Sequence, residues 1–335
     1  MIPENRLRVF NQGQGSGDCV VYWMISARRA NWNHSLEHAI NKAVELSLPL
    51  VVVEPLAIAH RWANDRSHTF VIQGMMDNKI SFEDSPITYI PYVETKPNEA
   101  RGLLEKWLEH AALLVIDDFP VCHPRKVMEI SVALNKCEVH CVDSNGFISM
   151  RPGRQFTTAY SLRRHLHKSI IQHMSEFPLE NPIKIAENLL PYSIEKVEKI
   201  FQESNTPITP YEFIWRICEV KDVGLEALSV LVIDHSVPPV QHVSGGSKAA
   251  NTRWKEFLSK RLGDYSENRN QPELNGSSGL SPYIHFGHIS PHQILSDIFA
   301  KHNWDISKIT PPNDGRRSGW WGLPSDVESL SLIHI

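Results

Sequence analysis

Cys19-Val20-Val21-Tyr22-Trp23-Met24 decides the architecture of the first half of this chain. No polar residue alternates into the run, so it reads as a strand buried on both faces. Leu36, Ala39, Ile40 and Ala43 then recur at helical spacing, and Leu50-Val51-Val52-Val53 repeats the buried-strand pattern. Further on come a helix through Phe70, Ile72 and Met76, a strand from Thr88 to Val93 and a helix from Arg101 to Ala112. The strand Leu113-Leu114-Val115-Ile116-Asp117, a helix from Val127 to Leu134 and a strand from Glu138 to Asp143 complete the pattern. Continuous apolar strands separated by helices predict an α/β fold: a doubly wound parallel sheet of five strands, ending near Gly146.

After about Phe156 the character changes. Tyr160, Leu162, Leu166 and Ile170 predict a helix, and Pro178 and Pro182 interrupt the chain beyond it. From Thr209 onward the pattern is mostly helical, interrupted at Pro238-Pro239 and Ser244-Gly245-Gly246-Ser247. The predicted organisation is an α/β domain over 1–155, a helical connector over 156–208 and a helical domain over 209–335. No internal repeat or low-complexity tract is present.

The chain has 335 residues, room for roughly two domains, with 41% hydrophobic and 21% charged content ordinary for a globular protein. It lacks the ~18-residue apolar run of a membrane span and the charged-then-apolar start of a signal peptide. Five cysteines without regular spacing fit a reducing compartment, so the cytoplasm is the expected location. A net charge of −4 argues against a surface coated for nucleic acid but allows a local basic groove. Arg151, Arg154, Arg163, Arg164 and Lys168 are one candidate, and Arg316-Arg317 beside Trp320 and Trp321 another, since arginine neutralises phosphate while an aromatic face stacks on a base.

Several suggestive patterns are read conservatively. Gly13-Gln14-Gly15-Ser16-Gly17 precedes the first strand, whereas a dinucleotide-binding turn must come after one, so a flexible approach segment is expected there. Gly245-Gly246-Ser247-Lys248 lacks the spacing of a phosphate loop. His34-Ser35-Leu36-Glu37-His38 places two histidines one helical turn apart, but Leu36, Ala39 and Ile40 take the buried stripe, leaving the histidines on its flank or at the surface. No metal site is expected. Cys137, Val139 and Cys141 share one face of a strand and read as core.

The segment most informative about function lies near the C-terminal end. Gly263-Asp264-Tyr265 and Arg269 precede Ser277-Ser278-Gly279-Leu280-Ser281-Pro282-Tyr283-Ile284-His285-Phe286-Gly287-His288-Ile289-Ser290. Gly276 and Gly279 let backbone N–H groups approach an anion, the serines add hydroxyl donors, and a helix starting at Pro282 would aim its positive end at the same place. The string resembles the flavin-binding signature of the photolyase and cryptochrome family, whose loop wraps the phosphates of FAD.

Further matches run in family order. Val21-Tyr22-Trp23-Met24 with Arg28 or Arg29 and Asn33 looks like the opening of class II cyclobutane-dimer photolyases, although Ile25 stands where those chains commonly have glutamine. Arg61 to Arg66, His68-Thr69-Phe70, Gln73-Gly74-Met75, Asp117-Asp118-Phe119-Pro120, Val142 to Gly146 and Thr157 to Ser161 are similar to the same class. The resemblance implies an antenna-type α/β domain, with a possible second chromophore of unknown identity, and after it a helical FAD-binding domain. It implies a carbon–carbon lyase, a monomer, that acts on UV-damaged DNA: reduced FAD passes an electron to a pyrimidine dimer, the dimer splits, and the electron returns. Tyr265, Ser277, Ser278, Gly279, Leu280 and Ser281 carry over as contacts to FAD, and Arg269 as a contact to DNA backbone or lesion. No catalytic residue carries over.

The resemblance stops after Ser329, before the segment that holds the family's flavin-ring contacts, lesion-binding glutamate and relay tryptophans. The expectation is therefore an incomplete FAD-binding domain in a chain truncated at its C-terminus, with apolar faces left bare near Trp254, Phe257 and Ile294, poor FAD binding and little repair. The alternatives are a cryptochrome-like photoreceptor without repair activity, a metal-dependent hydrolase built on His34 and His38, and a nucleotide-binding α/β domain whose helical extension mediates contacts.

Overall fold

The computed structural model describes residues 2–120, 122–151, 155–207 and 228–308. All five predicted strands form: β2 (Cys19–Trp23), β3 (Leu50–Leu56), β4 (Thr88–Val93), β5 (Ala111–Asp117) and β6 (Glu138–Val142). A sixth, β1 (Leu7–Phe10), corrects the predicted count, and the sheet order is β1-β6-β5-β2-β3-β4. β2 to β6 run parallel, whereas β1 pairs antiparallel on the edge, with Leu7 opposite Val142 and Phe10 opposite Val139. A four-residue edge strand that contains Arg8 and an exposed Val9 carries no continuous apolar run, which is why the pattern hid it. Fully buried Arg6, just before it, donates to the carbonyls of Asp143, Asn145, Gly146 and Phe147 and so holds the chain leaving β6.

Alternate strand residues supply the two cores. Val20, Tyr22, Val52 and Val115 pack against Leu36, Ala39, Ile40 and Ala43 of α1 (His34–Leu46) and Phe82 of α2 (Asp65–Glu83). Val21, Trp23, Leu114 and Ile116 face α3 (Leu103–His110), α4 (Cys122–Leu134) and, further along the chain, α6 (Ile194–Glu203). α3 ends two residues earlier than predicted, because Ala111 and Ala112 already belong to β5. Cys137, Val139 and Cys141 are core residues as expected, and burial pushes the Cys137 thiol up to about 11 and the Cys141 thiol to about 12, so neither is a nucleophile at neutral pH.

The predicted helix after Phe156 forms as α5 (Ala159–His173). Beyond Ser244 the described chain is helical: α7 (Ser247–Lys260), α8 (Tyr265–Asn268), α9 (Ser281–His285) and α10 (Pro291–Lys301). Trp254, Phe257, Leu262, Tyr265, Leu280, Tyr283 and Ile294 form their core, which Phe70 of α2 enters. The bare apolar faces expected near Trp254, Phe257 and Ile294 are therefore not found; these side chains are 0%, 0% and 2% exposed.

Glycines set the approach of this part to the sheet layer. A β-carbon on Gly245 would lie 1.9 Å from the Phe70 carbonyl oxygen, and one on Gly287 would lie 1.8 Å from that of Ser26. Gly246 N–H donates to His288 Nδ1 at 2.9 Å, and Lys248 N–H, in the first turn of α7, donates to Asp77 Oδ2 at 2.8 Å. The Gly245-Gly246-Ser247-Lys248 turn thus docks α7 onto α2, and its anion is the protein's own Asp77 carboxylate.

Candidate cofactor site

Open α/β sheets bind ligands outside the carboxyl ends of the strands, where the strand order reverses. Here that point lies between β2 and β5. The chain leaving β2 offers three successive N–H groups, from Ile25, Ser26 and Ala27, and all three donate to Asp117 Oδ2, at 3.0, 2.7 and 2.9 Å. The Tyr22 hydroxyl donates to the other carboxylate oxygen at 2.8 Å. Asp117, at the end of β5, thereby fills the anion nest. The space left is about 60 Å³, roofed by Ile284, His285 and Gly287, against ~300 Å³ or more for a typical ligand pocket. A nucleotide or a planar chromophore does not fit this crevice.

The Ser277–Ser281 loop is the opposite case. Gly276 sits so close to α8 that a β-carbon there would lie 2.3 Å from the Asn268 carbonyl oxygen, which brings the loop beside the Tyr265–Arg269 turn. Gly279 has φ +68°, a conformation that favours glycine. Among the described residues, no acceptor takes the backbone N–H of Gly276, Ser277, Ser278 or Gly279. Ser277 and Ser281 are exposed, whereas Ser278 is buried and its Oγ accepts from Leu280 N–H at 3.4 Å. Leu280 is fully buried and anchors the loop to the helical core. The expected helix-end contribution is small, because α9 is five residues long and sums few peptide dipoles.

Tyr265 packs edge-on against Phe257, with ring centroids 5.5 Å apart, and burial pushes its phenol up against the opposing charge of Arg269. Arg269 is exposed, its guanidinium carbon 6.0 Å from the Tyr265 ring centroid. The residues singled out from the sequence are thus brought together. One neighbour escaped that reading: Arg253 of α7, whose Nε donates to the Ser278 carbonyl at 3.2 Å. It lies 25 positions from its partner, and nothing in the local pattern of α7 marks it.

The discounted patterns resolve differently. His34 and His38 are buried, at 2% and 7% exposure, rather than on the flank or surface. His38 Nε2 lies 2.7 Å from His140 Nδ1, while the His34 ring meets His292 edge-on, with centroids 5.1 Å apart. The two imidazoles have different partners, and among the described residues no group of three or more ligating side chains could hold a metal. Within the Gly13–Gly17 run, Gly15 and Gly17 pack on the strand ends while Gly13 has open space around it: a β-carbon on Gly17 would lie 2.1 Å from the His110 carbonyl oxygen, and Glu138 N–H donates to the Gln14 carbonyl at 3.0 Å. It lies at the amino ends of β2 and β5, away from the ligand edge of the sheet.

Of the basic candidates, Arg151 pairs with Asp118, and Arg164 and Lys168 are exposed on α5. Arg154, the Arg163 side chain, Arg316-Arg317 and Trp320-Trp321 lie outside the described residues. No described helix is long and apolar enough to cross a membrane.

No family model matches the chain. It is 26% identical over 293 residues to a deoxyribodipyrimidine photo-lyase of Methanothermobacter thermautotrophicus, a match covering 87% of this chain and 59% of that one. It is 28% identical over 305 residues to a deoxyribodipyrimidine photo-lyase of Oryza sativa, covering 85% and 54%. The chain therefore spans somewhat over half the length of these relatives. Among solved structures, a bacterial class III photolyase from Agrobacterium tumefaciens superposes with a TM-score of 0.56 at 15% identity, over 96% of this chain and 58% of that one. The fold is photolyase-like, and the relatives support the photolyase/cryptochrome family.

Proposed function

We propose that this chain serves a flavin-dependent DNA photolyase, a deoxyribodipyrimidine photo-lyase of class II type that splits cyclobutane pyrimidine dimers in light. The observation that carries the reading is the match to proteins of that name along more than four-fifths of the chain, the flavin-type loop included. The loop fits the phosphates of FAD on its own geometry. It has a row of N–H groups without acceptors among the described residues, a glycine at φ +68° where a side chain would intrude, and arginines on its margin. Bound there, FAD would supply the light-driven electron that opens the dimer.

The chain's own residues bind and orient. Ser277, Ser278, Gly279 and Ser281 would hold the phosphates, Leu280 and Tyr265 would fix the loop to the helical core, and exposed Arg269 would face DNA backbone or lesion. The units proposed are 1–155, 156–208 and 209–335. A second chromophore, if bound, has its site elsewhere than the closed crevice at Asp117. Burial of Trp254, Phe257 and Ile294 removes one ground for poor FAD binding; the resemblance still ends before the family's flavin-ring contacts, so weak but measurable binding is expected.

The test is dimer loss from UV-irradiated oligonucleotide, incubated with the flavin-loaded, reduced chain in light and in darkness. Light-dependent loss, slight in this chain, is the expected result. Light-responsive flavin without dimer loss would favour the cryptochrome-like photoreceptor, and no flavin binding would sink both readings.

A further inference from the structure

We propose that Arg253 is a phosphate-binding residue of this loop, reaching it from α7, and that it makes the site selective for phosphorylated flavins over unphosphorylated ones. The inference rests on the flavin reading above. The guanidinium lies flat against Gly279: a β-carbon there would come within 2.6 Å of both Nε and Nη2 and 2.9 Å of Cζ. Any side chain at this position would displace the arginine, so the glycine serves the arginine as well as its own backbone angle.

The hydrogen bond to Ser278 does two things. It fixes the arginine, and it fixes the peptide plane between Ser278 and Gly279. In a planar trans peptide the C=O and N–H point in opposite directions. A carbonyl turned toward Arg253 therefore turns the Gly279 N–H away from α7, to the side where no described residue accepts it. One side chain thus sets the direction of a loop donor and places a permanent positive charge beside it.

Among the described residues, that charge has no counter-ion. Arginine has five N–H donors, and among the described residues only Nε–H finds an acceptor here. No carboxylate among those residues pairs with Arg253, whereas Arg28 pairs with Glu54, and Arg8 and Arg151 with Asp118. An arginine held in place by a backbone carbonyl, half-buried and without a described counter-ion, is suited to an anionic ligand that takes planar, paired donors. A pyrophosphate diester, with a negative charge on each phosphoryl group, has that chemistry; the isoalloxazine ring does not.

The test titrates the full chain in the dark with FAD, riboflavin and inorganic pyrophosphate, for wild type, Arg253→Gln and Arg253→Lys, alongside thermal melts. Expected are FAD binding weakened about 10- to 100-fold in Arg253→Gln, partial recovery in Arg253→Lys, and riboflavin affinity unchanged. Pyrophosphate should compete with FAD in wild type, less so in Arg253→Gln. FAD affinity within about twofold of wild type in Arg253→Gln would overturn the inference, as would an equal loss for FAD and riboflavin, which marks a purely structural role. Arg253-dependent binding of pyrophosphate without any FAD binding would remove the flavin reading and leave the arginine assignment standing. Binding of neither would overturn both.

Discussion

Two short segments of this chain gather backbone N–H groups, and they meet opposite fates. After β2, the donors of Ile25, Ser26 and Ala27 converge on one oxygen of Asp117. Between α8 and α9, the donors of Gly276 to Gly279 have no acceptor among the described residues, and a guanidinium lies alongside. The first segment stands where the architecture itself points for a ligand, yet it is closed from within. The second belongs to no general rule of the fold, yet no described residue closes it. Clustered donors alone do not mark a binding site; what marks it is whether the protein supplies the acceptor itself.

The comparison can be broken most forcefully at Asp117. Asp117→Ala would leave three N–H groups and the Tyr22 hydroxyl buried without their acceptor. At about 1–3 kcal/mol for a buried group left unpaired, a combined loss of ~3–5 kcal/mol is expected, read from urea unfolding. A loss below ~1 kcal/mol would mean that the nest is not a structural closure. Asp117→Asn, which keeps an acceptor, should fall between the two.

The seam joining the two regions is acid-sensitive. His288 Nδ1 accepts the Gly246 N–H, its ring stacks on Phe70 at 5.1 Å, and burial with Arg28 and Arg29 nearby lowers it to about 3. Unfolding restores the ordinary value near ~6.5, so the unfolded chain takes up the proton first. The stabilisation is fully present above that value and drains away as pH falls toward about 3. His38, lowered to about 3, and His68, lowered to about 4, act in the same direction. Stability should fall by ~1 kcal/mol or more per pH unit below about pH 6, and His288→Gln should flatten the slope. A wild-type stability unchanged between about pH 7 and pH 5 contradicts this.

Smaller effects sharpen the open side. Gly279→Ala adds strain at φ +68° and pushes on Arg253, so a stability loss of ~1–2 kcal/mol together with weaker FAD binding is expected. An alanine variant that binds FAD like wild type would show that the close approach of the arginine is incidental. Ser278→Ala removes one long 3.4 Å bond to Leu280 N–H and should cost ~0.5–1 kcal/mol in a thermal melt. A larger loss would give the hydroxyl a role that this geometry lacks.

Burial explains what the sequence revealed and what it concealed. β2, β3 and β5 are covered on both faces and left apolar runs of four or more residues; β1, half-covered at the edge, left none. His34 and His38 misled because a stripe reading assumes one buried face, whereas α1 also lies under β6 and α10 through His140 and His292. The Ser277–Ser281 loop was legible because glycines and serines in fixed order are local chemistry. Arg253 was not singled out, and Asp117 only as part of a motif without a role, because each acts on backbone far away in sequence, and no spacing rule reports such a contact.

Amide hydrogen exchange, with and without FAD in the dark, tests the contrast most directly. FAD should protect the amides of Gly276 to Gly279, while those of Ile25 to Ala27, already bonded to Asp117, stay unchanged. Protection appearing at Ile25 to Ala27 and missing from the loop would contradict the account.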